Sequence, residues 1–262
     1  MTDHGSSEAD KQLPSRRLAE QLRHAITSGT FPPGTKLPSE RTLAAQHQVA
    51  RNTAREAIRL LAEEGLVTAE HGRGVFVREK RRLLRFGSER YSQRVRNETG
   101  LSPYRAELAK QGRTARVDCT SITRSQPPEN VAERLGISHE EDSVVRRENW
   151  YYADDEPVQV GITYIPWEIA SGSVLATSAQ MGKGSLYARF EELGHPITRI
   201  REEICARMPN PDEVRGLRIP DGVPVIDVFH TGINDKGEPF EVTHFVMRAD
   251  VNGLDYNMPV ED

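Results

Sequence analysis

Three arginines, Arg51, Arg55 and Arg59, recur every fourth residue in a stretch that also carries Ala54, Ala57, Ile58 and Leu61. Residues four apart share a helix face, so the spacing predicts a helix from about Arg51 to Glu64 with a basic stripe and an apolar stripe. A guanidinium can pair bidentately with guanine, and its charge releases counterions from phosphate. Downstream, His71-Gly-Arg-Gly74 separates two short runs, Leu66–Glu70 and Val75–Val77. This pattern predicts a hairpin whose glycines let the backbone approach a duplex closely, with Arg73 at its tip. One surface arginine alone is an ordinary solvated charge; the helices, basic face and hairpin together point to DNA.

Other reactive residues carry less. There is no nucleophile elbow, phosphate loop or HExxH motif. His195, His230 and His244 could meet Glu241 in space, but ordinary pocket or surface histidines are the preferred reading over a metal or acid–base site. Cys119 and Cys205 belong to no motif, so thiols without redox or metal duty are expected. No catalytic residue, metal or cofactor is predicted.

The elements that must hold the basic face are well punctuated. Leu18, Leu22 and Ile26 mark an amphipathic helix after Pro14, closed by Gly29 and a turn at Phe31–Gly34. Ser39 is a suitable N-cap for a second helix, with Leu43 and Ala44 facing inward and Glu40 favourable at its start. Charge divides the chain in the same way. Residues 11–82 hold 14 Lys and Arg against 7 Glu, whereas residues 83–262 hold 21 basic against 29 acidic residues. A basic module fused to an acidic body is the expected arrangement.

The run from Ile26 to Arg41, ITSGTFPPGTKLPSER, resembles the hallmark of the GntR family of bacterial transcription regulators. So do Val49–Ala57, Leu61–Val67 and Gly72–Val77. The resemblance implies a winged helix-turn-helix, with DNA contacts at Arg41, Arg51, Asn52, Thr53 and Arg55, and in the wing at His71, Gly72 and Arg73. Ala50 stands where the family usually has Ser or Thr, which removes a cap or phosphate hydrogen bond there. Half-sites of GT and AC type are further implied.

Residues 79–97 read as a basic linker, with Lys80, Arg81 and Arg82 available to phosphates. Beyond it, strand-like and helix-like segments alternate, and the fold class expected for the whole chain is α+β. Predicted strands are Val117–Ile122, Val144–Tyr152, Val158–Ile165, Ile197–Met208, Val223–Ile233 and Pro239–Arg248; a helix is an alternative at Ile197–Met208. Predicted helices are Pro127–Leu135, Ser185–Leu193 and Pro211–Leu217. The pieces Asp155–Gln159, Thr163–Pro166, Ser185–Tyr187, Leu193–His195, Pro220–Val225 and Gly237–Glu241 resemble the UTRA effector domain of the HutC branch. That domain has a chorismate-lyase-like antiparallel sheet with helices.

The resemblance places an effector pocket at Arg147, Asn149, Tyr151, Ser185, Tyr187 and Glu241. Gly182 and Gly184 would let an anion approach the helix start at Ser185. Sugar-phosphate-binding members commonly carry two arginines where Asn149 and Tyr151 stand, with Arg146 and Arg147 displaced upstream. A glutamate is expected at Gly161 and a tyrosine at Met247. With Trp150, Tyr151, Tyr152 and Tyr164 nearby, a flatter or more apolar ligand is expected at least as readily as a phosphosugar.

The expected organisation is therefore a winged helix-turn-helix DNA-binding domain at 11–78, a linker at 79–97, and an effector-binding and dimerisation domain at 98–255. The expected partners are double-stranded DNA with a palindromic operator, a small-molecule effector and a second copy of the chain. Repression is the expected output. The alternatives are a repressor without small-molecule control and an enzyme of chorismate-lyase-like fold. A polar N-terminus and no apolar run near the roughly 20 residues of a membrane helix argue for a cytoplasmic protein without membrane attachment.

Overall fold

A computed structural model describes residues 13–70, 72–78, 83–87 and 89–258. The chain divides into two compact units, one formed before residue 82 together with Pro220–Val223, the other from the remainder.

The first unit contains α1 (Pro14–Thr27), α2 (Glu40–Gln46), α3 (Arg51–Glu63) and the hairpin β1 (Val67–Glu70) and β2 (Gly74–Val77). The apolar stripes meet as predicted: Leu18, Leu22, Leu43, Ala54, Ala57, Leu61, Val67 and Val77 are buried together. Small Ala54 and Ala57 let α3 pack closely, while Ile58 and Ala44 are half-buried against the same core. Ser39 caps α2, its hydroxyl accepting from Thr42 N at 3.2 Å. Ala50, at the matching position of α3, offers no side-chain cap. The Arg23 guanidinium donates twice to Glu64, at 2.7 and 2.6 Å, joining α1 to the residue after α3. In the hairpin, Val67 pairs with Val77 and Glu70 with Gly74. Its turn needs positive φ at Gly72 and Gly74, +71° and +122°, which glycine adopts without Cβ strain.

The second unit is built on a six-stranded antiparallel sheet. In chain order it runs β3 (Leu83–Phe86), α4 (Gln93–Thr99), α5 (Pro103–Lys110), β4 (Ala115–Ser125), α6 (Glu129–Leu135), β5 (Val144–Ala153), β6 (Glu156–Pro166), α7 (Trp167–Ala170), α8 (Val174–Thr177), α9 (Ser185–Glu192), β7 (Arg199–Arg207), α10 (Pro211–Leu217), β8 (Val225–Ile233), β9 (Pro239–Arg248) and β10 (Asn252–Asp255). The sheet order is β4-β5-β6-β9-β8-β7. Asp154 and Asp155, at φ +50° and +64°, make the two-residue turn between β5 and β6. Two left-handed residues match the twist of paired strands. The Arg113 guanidinium and Thr114 N both donate to Asp154, at 2.6 and 2.9 Å.

Every strand and helix expected after residue 98 is present, and β7 resolves as strand, not helix. The segment expected as a linker differs. Leu83–Phe86 pairs in parallel with Asn252–Asp255 near the far end of the chain. A 3-10 turn at Glu89–Tyr91 and α4 follow. The pattern hid this because Arg85 and Arg96, which read as solvated charges, are buried and paired with Glu202 and Glu191. Lys80, Arg81 and Arg82 lie outside the described residues.

Candidate nucleic-acid interface and effector cavity

On the first unit, α3 presents Arg51, Asn52 and Arg55 outward while Thr53 is half-buried. Arg51 and Arg55 converge on a single carboxylate. Arg51 Nε donates to Glu40 at 3.1 Å, and Arg55 donates through Nε and Nη2, both at 3.0 Å. The Arg55 hydrogen bond holds the Glu40 carboxyl below its ordinary range. Arg41, beside Glu40, is exposed. Arg59 does not join this pair; it binds Glu56 and Glu63 on its own helix. At the hairpin turn, exposed Arg73 pairs with Glu70 and stacks over Phe76 at 5.4 Å. Gly72 is exposed, and His71 lies outside the described residues.

On the second unit, the sheet floors a cavity of about 590 Å³. The period of two along β5 turns Arg147, Asn149 and Tyr151 to this side, with Val117 and Cys119 from β4, Thr163 from β6, and Thr243 and Phe245 from β9. The walls come from residues 100–105, residues 179–182 and the start of α9 with Ser185 and Tyr187. Five of the six expected effector residues therefore line one cavity. Glu241 does not: it is fully buried two residues from Thr243 on β9, accepting from Thr243 Oγ1 at 2.8 Å.

Glu241 lies 3.1 Å from His230 Nε2, and the other ring nitrogen, Nδ1, lies 3.0 Å from Glu202. The Tyr187 hydroxyl reaches the same Nε2 at 3.3 Å. Burial alone would lower the His230 pKa, but the two carboxylates outweigh it and raise it. Burial would likewise raise Glu202, yet His230 and Arg85 hold it below its ordinary range. Burial drives the Tyr187 phenol well up, so it stays protonated. Of the three histidines, only His230 meets Glu241; His244 pairs with Asp227 at 2.8 Å, and the His195 ring packs near Phe240. Among the described residues no group of three or more His, Cys, Asp or Glu could hold a metal. No helix there is long and apolar enough to cross a membrane.

The helix start at Ser185 departs from the simple anion-site picture. Gly184 N donates to Gly100 O at 3.1 Å and Ser185 N to Gly182 O at 3.3 Å, so both amides are already used. Sequence reasoning misses the wall formed by Ser102, Tyr104 and Arg105, because a short helix ahead of the first strand carries no long apolar stripe. Its signal was present: Ser102 is a helix N-cap, followed by Pro103 at the first helical position. Arg90 was missed as one charge in a basic run.

Residues 110–251 match the UTRA domain, and residues 14–77 match the bacterial regulatory proteins of the gntR family. The chain belongs to the GntR-family transcription regulators that carry a UTRA domain. It is 28% identical over 235 residues to the HTH-type transcriptional repressor NagR of Bacillus subtilis, covering 89% of this chain and 90% of that protein. It is also 28% identical to the HTH-type transcriptional regulator Rv0792c of Mycobacterium tuberculosis, covering 94% and 86% of the two chains. A crystal structure assigned to a GntR-family transcriptional regulator superposes with TM-score 0.64 at 26% identity, covering 96% of this chain and 99% of that one. PhnF from Mycobacterium smegmatis shares the fold, with TM-score 0.58 at 22% identity over 93% and 100%.

Within this GntR-family chain, the departures around the cavity have a packing explanation. A Cβ on Gly161 would fall 2.7 Å from the Phe245 ring and 3.2 Å from Tyr151. The space that a larger residue would take is thus filled by aromatic rings, which stack edge-on at 6.1 Å. Arg147 donates both terminal nitrogens to the backbone carbonyls of Leu175 and Ser178, tying β5 to α8. Arg146 points to the opposite side of the sheet strand and pairs with Glu148.

Proposed function

We propose that this regulator is a homodimeric repressor whose operator affinity is set by a small molecule held in the second unit. The reading is supported above all by Arg51 and Arg55, an exposed and jointly oriented pair at the N-terminal end of α3. That end of a recognition helix is the part that reaches base edges in the major groove. Arg41, Asn52 and Thr53 would complete the helix contacts, and His71, Gly72 and Arg73 the wing contacts. Two such readers related by a twofold axis fit a palindrome, because one winged helix spans too few bases. The domain roles follow as 11–78 for DNA and 98–255 for effector and dimer contacts.

Arg147, Asn149, Tyr151, Ser185 and Tyr187 would touch the effector, with Glu241 acting on it through Thr243. An effector that binds the DNA-incompetent arrangement better lowers operator affinity by about 1–3 kcal/mol of coupling. No turnover of the effector is expected, and the protein is expected to act in the cytoplasm.

The test is fluorescence anisotropy on the gene's own upstream DNA, with and without a pool of cell metabolites. Salt-sensitive binding that the pool weakens supports the proposal. Tight binding indifferent to the pool removes small-molecule control, and consumption of a pool component makes the cavity an active site.

A further inference from the structure

Arg147 is only 2% exposed, yet among the described residues no carboxylate pairs with it. Its hydrogen bonds run to the carbonyls of Leu175 and Ser178, with Cys119 Sγ at 3.8 Å. Carbonyl oxygens satisfy N–H groups but do not neutralise a charge, and an unpaired buried cation is costly to retain. The cost shows as a guanidinium whose pKa is lowered by burial. None of the described residues lining the cavity is Asp or Glu. The other two lining arginines are accounted for, since Arg90 pairs with Glu107 at 3.1 Å and Arg105 is exposed to solvent.

Building on the effector reading of this cavity, we propose that it takes an organic monoanion with a flat, largely apolar body, whose charge is the counter-ion Arg147 lacks. One uncompensated buried cation balances one negative charge, as on a carboxylate, and not the two of a phosphate ester. Tyr104 supplies a second mark of recognition. Among the described residues its hydroxyl is buried without a partner, while its ring lies 5.0 Å from that of Tyr151. A buried donor left unmade favours a ligand that brings an acceptor. The faces of Tyr104, Tyr151 and Phe245 suit a planar body, and no lining carboxylate is present to accept from the hydroxyls of a polyol.

Calorimetric titration of the full chain with 3-phenylpropionate, its neutral amide and glucose 6-phosphate tests this directly. The acid is expected to bind at least about tenfold more tightly than the amide, as a charge-assisted hydrogen bond requires. It is also expected to bind more tightly than glucose 6-phosphate. Arg147→Gln should abolish the preference of acid over amide, and Tyr104→Phe, which keeps the ring, should weaken the acid several-fold. Equal affinity for acid and amide on the wild-type chain overturns the proposal even if Arg147→Gln does not fold. Tighter binding of glucose 6-phosphate, or no binding of the acid at millimolar concentration, overturns it too. An acid that binds as expected but leaves operator affinity unchanged keeps this inference and sinks effector control instead.

Discussion

Arg51 and Arg55 share one acceptor, Glu40, and that sharing governs what each brings to a DNA complex. The carboxylate pre-orients both guanidiniums, so if they meet bases as proposed, less side-chain entropy would be lost. It also subtracts charge from the surface proposed to meet phosphates. Arg51→Ala or Arg55→Ala is expected to cost about 1–3 kcal/mol of specific operator binding, with an unchanged circular dichroism spectrum. Near-wild-type anisotropy titrations for both variants would place the recognition helix elsewhere. Glu40→Gln should act in two directions: nonspecific affinity and its salt slope rise, while the ratio of specific to nonspecific binding falls. In the second unit, Tyr187→Ala is expected to leave operator binding intact and blunt release by effector, read in the same anisotropy assay.

At the scale of elements, α3 begins on Ala50 without the side-chain bond that Ser39 gives α2. Ala50→Ser should therefore stabilise the first unit by about 0.5–1 kcal/mol, and Ser39→Ala should destabilise it by about 1 kcal/mol. Urea midpoints at constant m-value measure both. These elements were legible in the sequence because caps, glycines and period-3.6 stripes are local signals. The strands of the sheet were legible from apolar and β-branched runs bounded by turn residues. What escaped was non-local. Arg85 and Arg96 look like linker charges until Glu202 and Glu191, more than ninety residues on, arrive to bury them. Glu241 is a candidate from sequence, but only the packed sheet shows that it is buried beside Thr243 and not at the cavity surface.

Taken as a whole, the second unit carries a buried ionic chain of Arg85, Glu202, His230 and Glu241, with Tyr91, Tyr187 and Tyr256 around it. The pH dependence follows from the two shifted groups. His230 has a raised folded pKa, so its contribution is complete below about 6.5 and is lost as pH rises through the folded value. Glu202 has a lowered one, so its contribution is complete above about 4.5 and is lost as pH falls toward the folded value. The contribution of this chain to stability should thus be largest between those limits. His230→Gln should flatten the alkaline arm, seen as a smaller loss of urea midpoint between about pH 6 and pH 9 than in wild type. An unaltered alkaline arm would assign that loss to other groups.

The parallel pairing of Leu83–Phe86 with Asn252–Asp255 has a consequence for anyone grafting this unit onto another DNA-binding domain. Entry and exit of the unit are sewn into one ribbon, so the excised cassette must begin ahead of Leu83 and run past Asp255. A splice placed after residue 97, where the basic run ends, would leave the closing strand with no mate and Glu202 with no Arg85. Such a chimera should aggregate, whereas one cut ahead of Leu83 should stay soluble, and on the proposed function keep its response.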